Sequence, residues 1–168
     1  GGRPGHVDVY YRFEEIETKK YDLVIAVTPR MVECEIPVLY YRPGVLHLGV
    51  GCRKLCHPDG IVNDICHRLE MFGLSPLSVA TVDTIELKKD EPLVAELAER
   101  LQAEVRIYPA EALKEIKVPN PSEKVCEVTG VAGVAEAAAL KSADQEVLLI
   151  EKQKGAVITG HDFTFAVA

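Results

Sequence analysis

The stretch Val45-Leu46-His47-Leu48-Gly49-Val50-Gly51-Cys52-Arg53-Lys54 is an apolar run of strand length that breaks into Gly-x-Gly and then presents a thiol and two cations. Without a Cβ, Gly49 and Gly51 let the backbone take positive φ or approach a ligand closely. A helical pattern follows from Asp59 to Phe72, with Ile61, Ile65, Leu69 and Phe72 on one face and Gly73 just past its end. Strand, glycine turn and helix is a layout in which backbone N–H groups and a helix N-terminus collect an anion. Arg53 can add a two-pronged contact to a carboxylate or phosphate. The same spacing also suits a plain β-to-α turn with a surface arginine, because a lone Gly-x-Gly is a weak signal.

The rest of the chain alternates. Val79–Ile85 and Glu104–Tyr108 read as strands. Glu91–Leu101 reads as a helix with Pro92 at its start, and Ala110–Glu115 as a short one. Asn120-Pro121-Ser122-Glu123 has the form of a capping box opening a helix to about Val128, stopped at Gly130. Val134–Leu140 is a helix of small residues that can pack close to a sheet. Val147–Glu151, Ala156–Thr159 and Asp162–Val167 read as strands, the first two joined by a turn at Gln153-Lys154-Gly155. Strands alternating with helices give an α/β fold, a three-layer α/β/α sandwich whose closing strand pair makes the sheet mixed and mostly parallel. Ahead of this, Val7–Phe13, Leu23–Val27 and Val38–Tyr41 are further strand candidates, with a boundary near Pro43.

With 168 residues, the chain has room for one core of ordinary size. A net charge of −7 argues against nucleic acid, which needs a basic face, and no apolar run is long enough to cross a bilayer. An acidic chain that binds an acidic ligand must gather its cations locally, and Arg42, Arg53 and Lys54 are near one another in sequence. Five cysteines with no disulfide spacing suit a reducing cytoplasm. Cys52, Cys56-His57 and Cys66-His67 lack the tight pairs of structural zinc, so no metal ligand is assigned.

Five segments in order carry a family resemblance. Gly49-Val50-Gly51-Cys52-Arg53-Lys54, Thr84-Ile85-Glu86-Leu87-Lys88-Lys89-Asp90-Glu91-Pro92, Pro119-Asn120-Pro121-Ser122, Gly130–Leu140 and Thr164-Phe165-Ala166-Val167-Ala168 resemble the signatures of the C-terminal domain of CbiG/CobE-type cobalamin-biosynthesis proteins. The resemblance covers Leu48 to the end and is weaker before His47. Residues 1–43 then read as a partial central or linker region and 44–168 as the C-terminal domain. With Gly1-Gly2 at its start and no methionine before Met31, the chain has the look of a piece of a longer protein. Leu55 departs from the pattern, since a small residue, often Gly, usually follows the two cations.

The resemblance implies cobalt-precorrin 5A hydrolase activity, which opens the ring A lactone and expels acetaldehyde. The partner is then a cobalt-containing tetrapyrrole, with the N-terminal part of the same protein as a second partner and a homodimer left open. No cofactor is implied, because the substrate carries the cobalt. Gly49, Gly51, Cys52, Arg53, Lys54, Lys88, Asn120 and Ser122 become substrate-binding candidates, although Lys88 also suits a solvated charge run and Asn120 and Ser122 suit helix caps. Glu136 and Glu91 are the carboxylates to test as the water-activating base. Cys52 is the nucleophile suggested by position, a helix N-terminus and nearby cations lowering its pKa, against a plain binding-loop role. His47 stands beside no recognisable Ser or Asp partner in sequence, and His161 reads as a turn residue. The alternative to an enzyme is a domain that binds or hands over a corrinoid, while the chemistry belongs to the N-terminal part. A generic anion- or nucleotide-binding α/β domain is a third reading.

Overall fold

The computed structural model describes residues 6–156 and 162–168. Val24–Val27 (β1) and Val38–Tyr41 (β2) form a two-stranded parallel ribbon in which Ile25 lies opposite Leu39 and Val27 opposite Tyr41. The ribbon is tied to the rest by backbone hydrogen bonds, from Met31 N–H to the Gly73 carbonyl at 2.8 Å and from Ser75 N–H to the Pro29 carbonyl at 2.7 Å.

The main sheet has five strands. Leu46–Cys52 (β3), Val79–Ile85 (β4) and Glu104–Tyr108 (β5) run parallel. Ile150–Ala156 (β6) and Asp162–Val167 (β7) complete the order β5-β4-β3-β7-β6, with β7 antiparallel to both its neighbours. Period-2 alternation sets the two faces of β3. Leu46, Leu48 and Val50 join a core with Ile61–Met71 (α1) and Pro92–Leu101 (α2), through Ile65, Leu69, Leu93 and Leu97. The opposite face is covered by Val134–Ala143 (α5), with Ala110–Lys114 (α3) and Glu123–Thr129 (α4) beside it. The expected α/β fold with helices on both faces of a mixed sheet is therefore present.

Three local expectations are corrected. Val7–Phe13 is not a strand: Val7, Val9 and Tyr11 are exposed and take no part in either sheet, and a short 3-10 turn occupies Phe13–Glu15. Gln153-Lys154-Gly155 is not a turn but the interior of β6, which starts at Ile150 rather than Val147. Gly155 is opposite Phe163, and a Cβ on it would meet that ring at 2.4 Å, so this glycine makes room for an aromatic ring. Asn120 is no helix cap either, since the N-cap of α4 is Ser122 and its side chain makes no capping bond. The strand expected over Ala156–Thr159 lies outside the described residues beyond Ala156, as does His161.

Candidate functional site

Gly-x-Gly lies inside β3 rather than in a turn, paired with β7, and neither glycine has positive φ. Gly49 serves packing instead. A Cβ there would lie 1.8 Å from the Ala135 carbonyl oxygen, so its absence lets α5 rest on the strand. The chain leaves the sheet only after Cys52. Leu55 then takes φ 57°, a left-handed conformation that costs a side-chain-bearing residue on the order of 1 kcal/mol. This is the position at which the resembled signature usually has a small residue. Helix α1 begins nine residues beyond Cys52, after Gly60 at φ 81°, and does not reach the site.

At the carboxyl end of β3 a cavity of about 440 Å³ opens, where open α/β sheets place their ligands. Its cations come from four places: Arg53 and Lys54 after β3, Lys88 after β4, Lys124 on α4, and Lys152 and Lys154 on β6. Val125, Val128, Val134, Ala135 and Phe163 supply an apolar lining, and Ser122, Thr129 and Thr164 supply hydroxyls. Among the described residues, no Asp or Glu lines it. In a chain of net charge −7, six cations around an apolar surface form a local positive field. The first residues of α5, whose leading N–H groups have no partner within the helix, face the same space and add to that field.

Of the residues singled out from sequence, Gly51, Cys52, Arg53, Lys54, Lys88 and Ser122 meet in this cavity. Gly49, Asn120, Glu91 and Glu136 do not line it. Glu91 is buried, accepts the Cys56 N–H at 3.3 Å and pairs with the Lys88 ammonium at 3.4 Å, so it orients a cation of the wall. Glu136 is fully buried and accepts N–H groups from Asn120 and Lys152. Lys124, Lys152 and Lys154 were not singled out. In sequence they look like solvated surface charges, and only the folding of α4 and β6 around one space gives them a common purpose.

Cys52 departs from expectation in chemistry. Burial pushes its thiol up to about 12, with Cys56 and Glu91 adding to the effect and Lys88 opposing it. The α1 N-terminus that was to lower it is not at hand. We therefore expect iodoacetamide at neutral pH to label exposed Cys126 well before Cys52, read by peptide mass spectrometry. Rapid labelling of Cys52 would contradict this.

A second polar group lies under α5, distinct from the cavity, and the sequence reading did not anticipate it. His47 Nδ1 lies 2.8 Å from Thr81 Oγ1 and 3.1 Å from Ser142 Oγ. The Thr81 hydroxyl donates to Asp83 Oδ2 at 2.7 Å, and Arg106 donates to Ser142 Oγ at 3.2 Å. These residues come from β3, β4, β5 and α5, so no sequence window joins them. Burial raises the Asp83 carboxyl to about 6, and the same cause, with Arg106, lowers His47 below its usual value. Asp83 Oδ1 has no hydrogen-bond partner among the described residues. Among the described residues, no group of three or more His, Cys, Asp or Glu could hold a metal.

Comparison with known proteins places the chain. A cobalt-precorrin-5A hydrolase of Priestia megaterium is 35% identical over 119 residues, 71% of this chain and 32% of that protein. One from Salmonella typhimurium is 30% identical over 142 residues, 82% of this chain and 40% of that protein. The chain thus spans well under half the length of these hydrolases. A crystal structure of CobE, a protein from the cobalamin biosynthetic pathway, aligns with TM-score 0.63 and 28% identity, over 74% of this chain and 89% of that one. A cobalamin biosynthesis protein G homolog from Sulfolobus solfataricus shares the fold, with TM-score 0.54 and 20% identity over 96% of this chain and 49% of that one. Residues 46–168 match the family model described as cobalamin synthesis G C-terminus, and the chain belongs to that family.

Proposed function

We propose that this domain acts in cobalamin biosynthesis as the substrate-binding part of a cobalt-precorrin-5A hydrolase. In this reading it holds the cobalt-containing tetrapyrrole in the cavity at the end of β3, while ring A lactone opening and acetaldehyde release take place. The observation that carries it is the cavity itself, which offers six cations and an apolar lining to a flat macrocycle edged with carboxylates. The cations would grip the peripheral carboxylates, and the apolar side chains would meet the macrocycle. Membership of the family and the two hydrolase relatives support the assignment.

A second reading, that the domain binds or hands over the corrinoid without turning it over, is favoured by two observations. Glu91 and Glu136, the carboxylates considered as bases, both lie outside the lining. The match to protein CobE of a Sinorhizobium species, 29% identical, covers 75% of that protein, so a relative of nearly this extent exists by itself. Under either reading the rest of the longer protein is a partner. Ile25, Val27, Leu39 and Tyr41 make one side of the β1–β2 ribbon, each more than half exposed, and a parallel ribbon normally has both faces covered. Residues 1–43 would then belong with that part and 44–168 form the binding domain. All five cysteines are free, which fits a cytoplasmic setting, and no helix among the described residues is long and apolar enough to cross a membrane.

The test is to assay this chain and a full-length relative side by side for acetaldehyde release from cobalt-precorrin 5A. Binding by this chain with release only from the longer protein is the expected result. Release by this chain alone would move the chemistry into it, and absence of binding would reject both readings.

A further inference from the structure

Glu136 stands at the first turn of α5 with its side chain fully buried. Three N–H groups converge on it. Asn120 N–H reaches Oε2 at 3.1 Å, and the Asn120 side-chain amide and Lys152 N–H reach Oε1 at 2.9 Å each. The Asn120 carbonyl in turn accepts from the Lys152 ammonium, and the Asn120 amide also donates to Glu151 at 2.9 Å. One carboxylate thus fastens three pieces of chain that meet at the cavity: α5, the segment leading to Ser122, and β6. Gly133 sits against this knot, and a Cβ on it would lie 3.6 Å from Glu136 Oε2. Both oxygens of Glu136 are engaged by amides, and neither is presented to the cavity.

We propose that Glu136 is a positioning residue. It fixes Asn120, and through the Asn120 carbonyl it holds the Lys152 ammonium at the wall where a ligand carboxylate would rest. The inference rests on the tetrapyrrole-binding reading above and adds to it the group that sets the cation. A buried ion held by a fixed network can orient a partner more narrowly than a solvated lysine, whose long side chain is free to move. Removing the carboxylate would leave Asn120 and Lys152 N–H groups without their acceptor, and the ammonium would lose its register.

The probe is cobalt uroporphyrin, a tetrapyrrole with carboxylates around its edge, titrated into the full chain by absorbance. Glu136→Gln and Lys152→Met should each weaken binding by about tenfold, the usual scale for losing one charge-assisted hydrogen bond. The double variant should be about as weak as either single one, because both remove the same contact. Multiplying effects, or a Glu136→Gln protein that melts lower yet binds like the wild type, would overturn the proposal. If Glu136→Gln does not fold, Asn120→Ala replaces it. That change removes only the side-chain amide, and a smaller loss that again fails to multiply with Lys152→Met is expected, wild-type affinity being the contrary result. Absence of probe binding by the wild-type chain would instead overturn the reading of the cavity, and this inference with it.

Discussion

Gly49→Ala should destabilise the folded state severely, with a urea midpoint far below that of the wild type. The added Cβ would sit 1.8 Å from the Ala135 carbonyl oxygen, 2.8 Å from its carbon and 2.9 Å from the Ala139 nitrogen. All three are backbone atoms of α5, and no rotamer change moves them. The helix would have to rise from β3, opening space around Ala137, Ala138 and Ala139, which are fully buried. Such overpacking with loss of core contacts costs more than about 4 kcal/mol, against a total of about 5–15 kcal/mol for a domain. At Gly51 the nearest neighbour of an added Cβ is the Thr164 hydroxyl at 2.9 Å, a side chain that can turn aside, so Gly51→Ala should cost about 1 kcal/mol. Urea denaturation followed by circular dichroism compares the two. A Gly49→Ala protein with a wild-type midpoint would mean that α5 does not rest on β3 as described.

Asp83→Asn is expected to stabilise the protein, and only at the higher end of the pH range. In the unfolded chain this carboxyl loses its proton near 3.8, whereas burial holds it to about 6 in the folded state. Below the lower value both states are protonated and there is no penalty. As pH rises from about 4 to 6 the unfolded state ionises first, so the native state loses stability across that window and does not recover it above. Two units correspond to roughly 2 to 3 kcal/mol. Asparagine resembles the protonated acid, can still accept the Thr81 hydroxyl and removes the slope. His47 is lowered by burial and Arg106, so its contribution has the opposite sign, growing as pH rises through its unfolded value of 6.5. The difference between wild type and Asp83→Asn isolates the carboxyl. Melting temperatures from pH 4 to 8 should coincide at the acid end and diverge by about 5–10 °C above pH 6. Parallel curves would show that Asp83 titrates normally.

Elements whose period stands out locally were legible without coordinates. The predicted bounds of β4 and β5 coincide with the observed ones, and α5 was expected to pack closely because its residues are small. Where two distant segments decide the matter, local signals misled. Gly49 looked like a ligand-facing glycine, and its purpose depends on a helix some ninety residues on. Gly155 looked like a turn until Phe163 is set across from it. Asn120 has the spacing of a cap, yet Glu136 and Glu151 take its amide. At the site, the cations beside the Gly-Cys-Arg-Lys segment were found because they adjoin a motif. Lys152 and Lys154 adjoin none, Lys124 follows the Asn120–Glu123 segment only as the next residue of its helix, and a charge has no sequence mark that tells a cavity wall from a solvated face. Cys52 shows the same limit for chemistry, since its thiol responds to burial that no spacing records.

On the function proposed, the cavity takes a cobalt tetrapyrrole by its carboxylates. Titration of this chain with cobalt uroporphyrin and with the same macrocycle as its methyl ester, at low and at physiological salt, tests it most directly. The acid should bind, its affinity should fall as salt screens the six cations, and the ester should bind much more weakly. Equal affinity for acid and ester, or binding of the acid that ignores salt, would contradict the account.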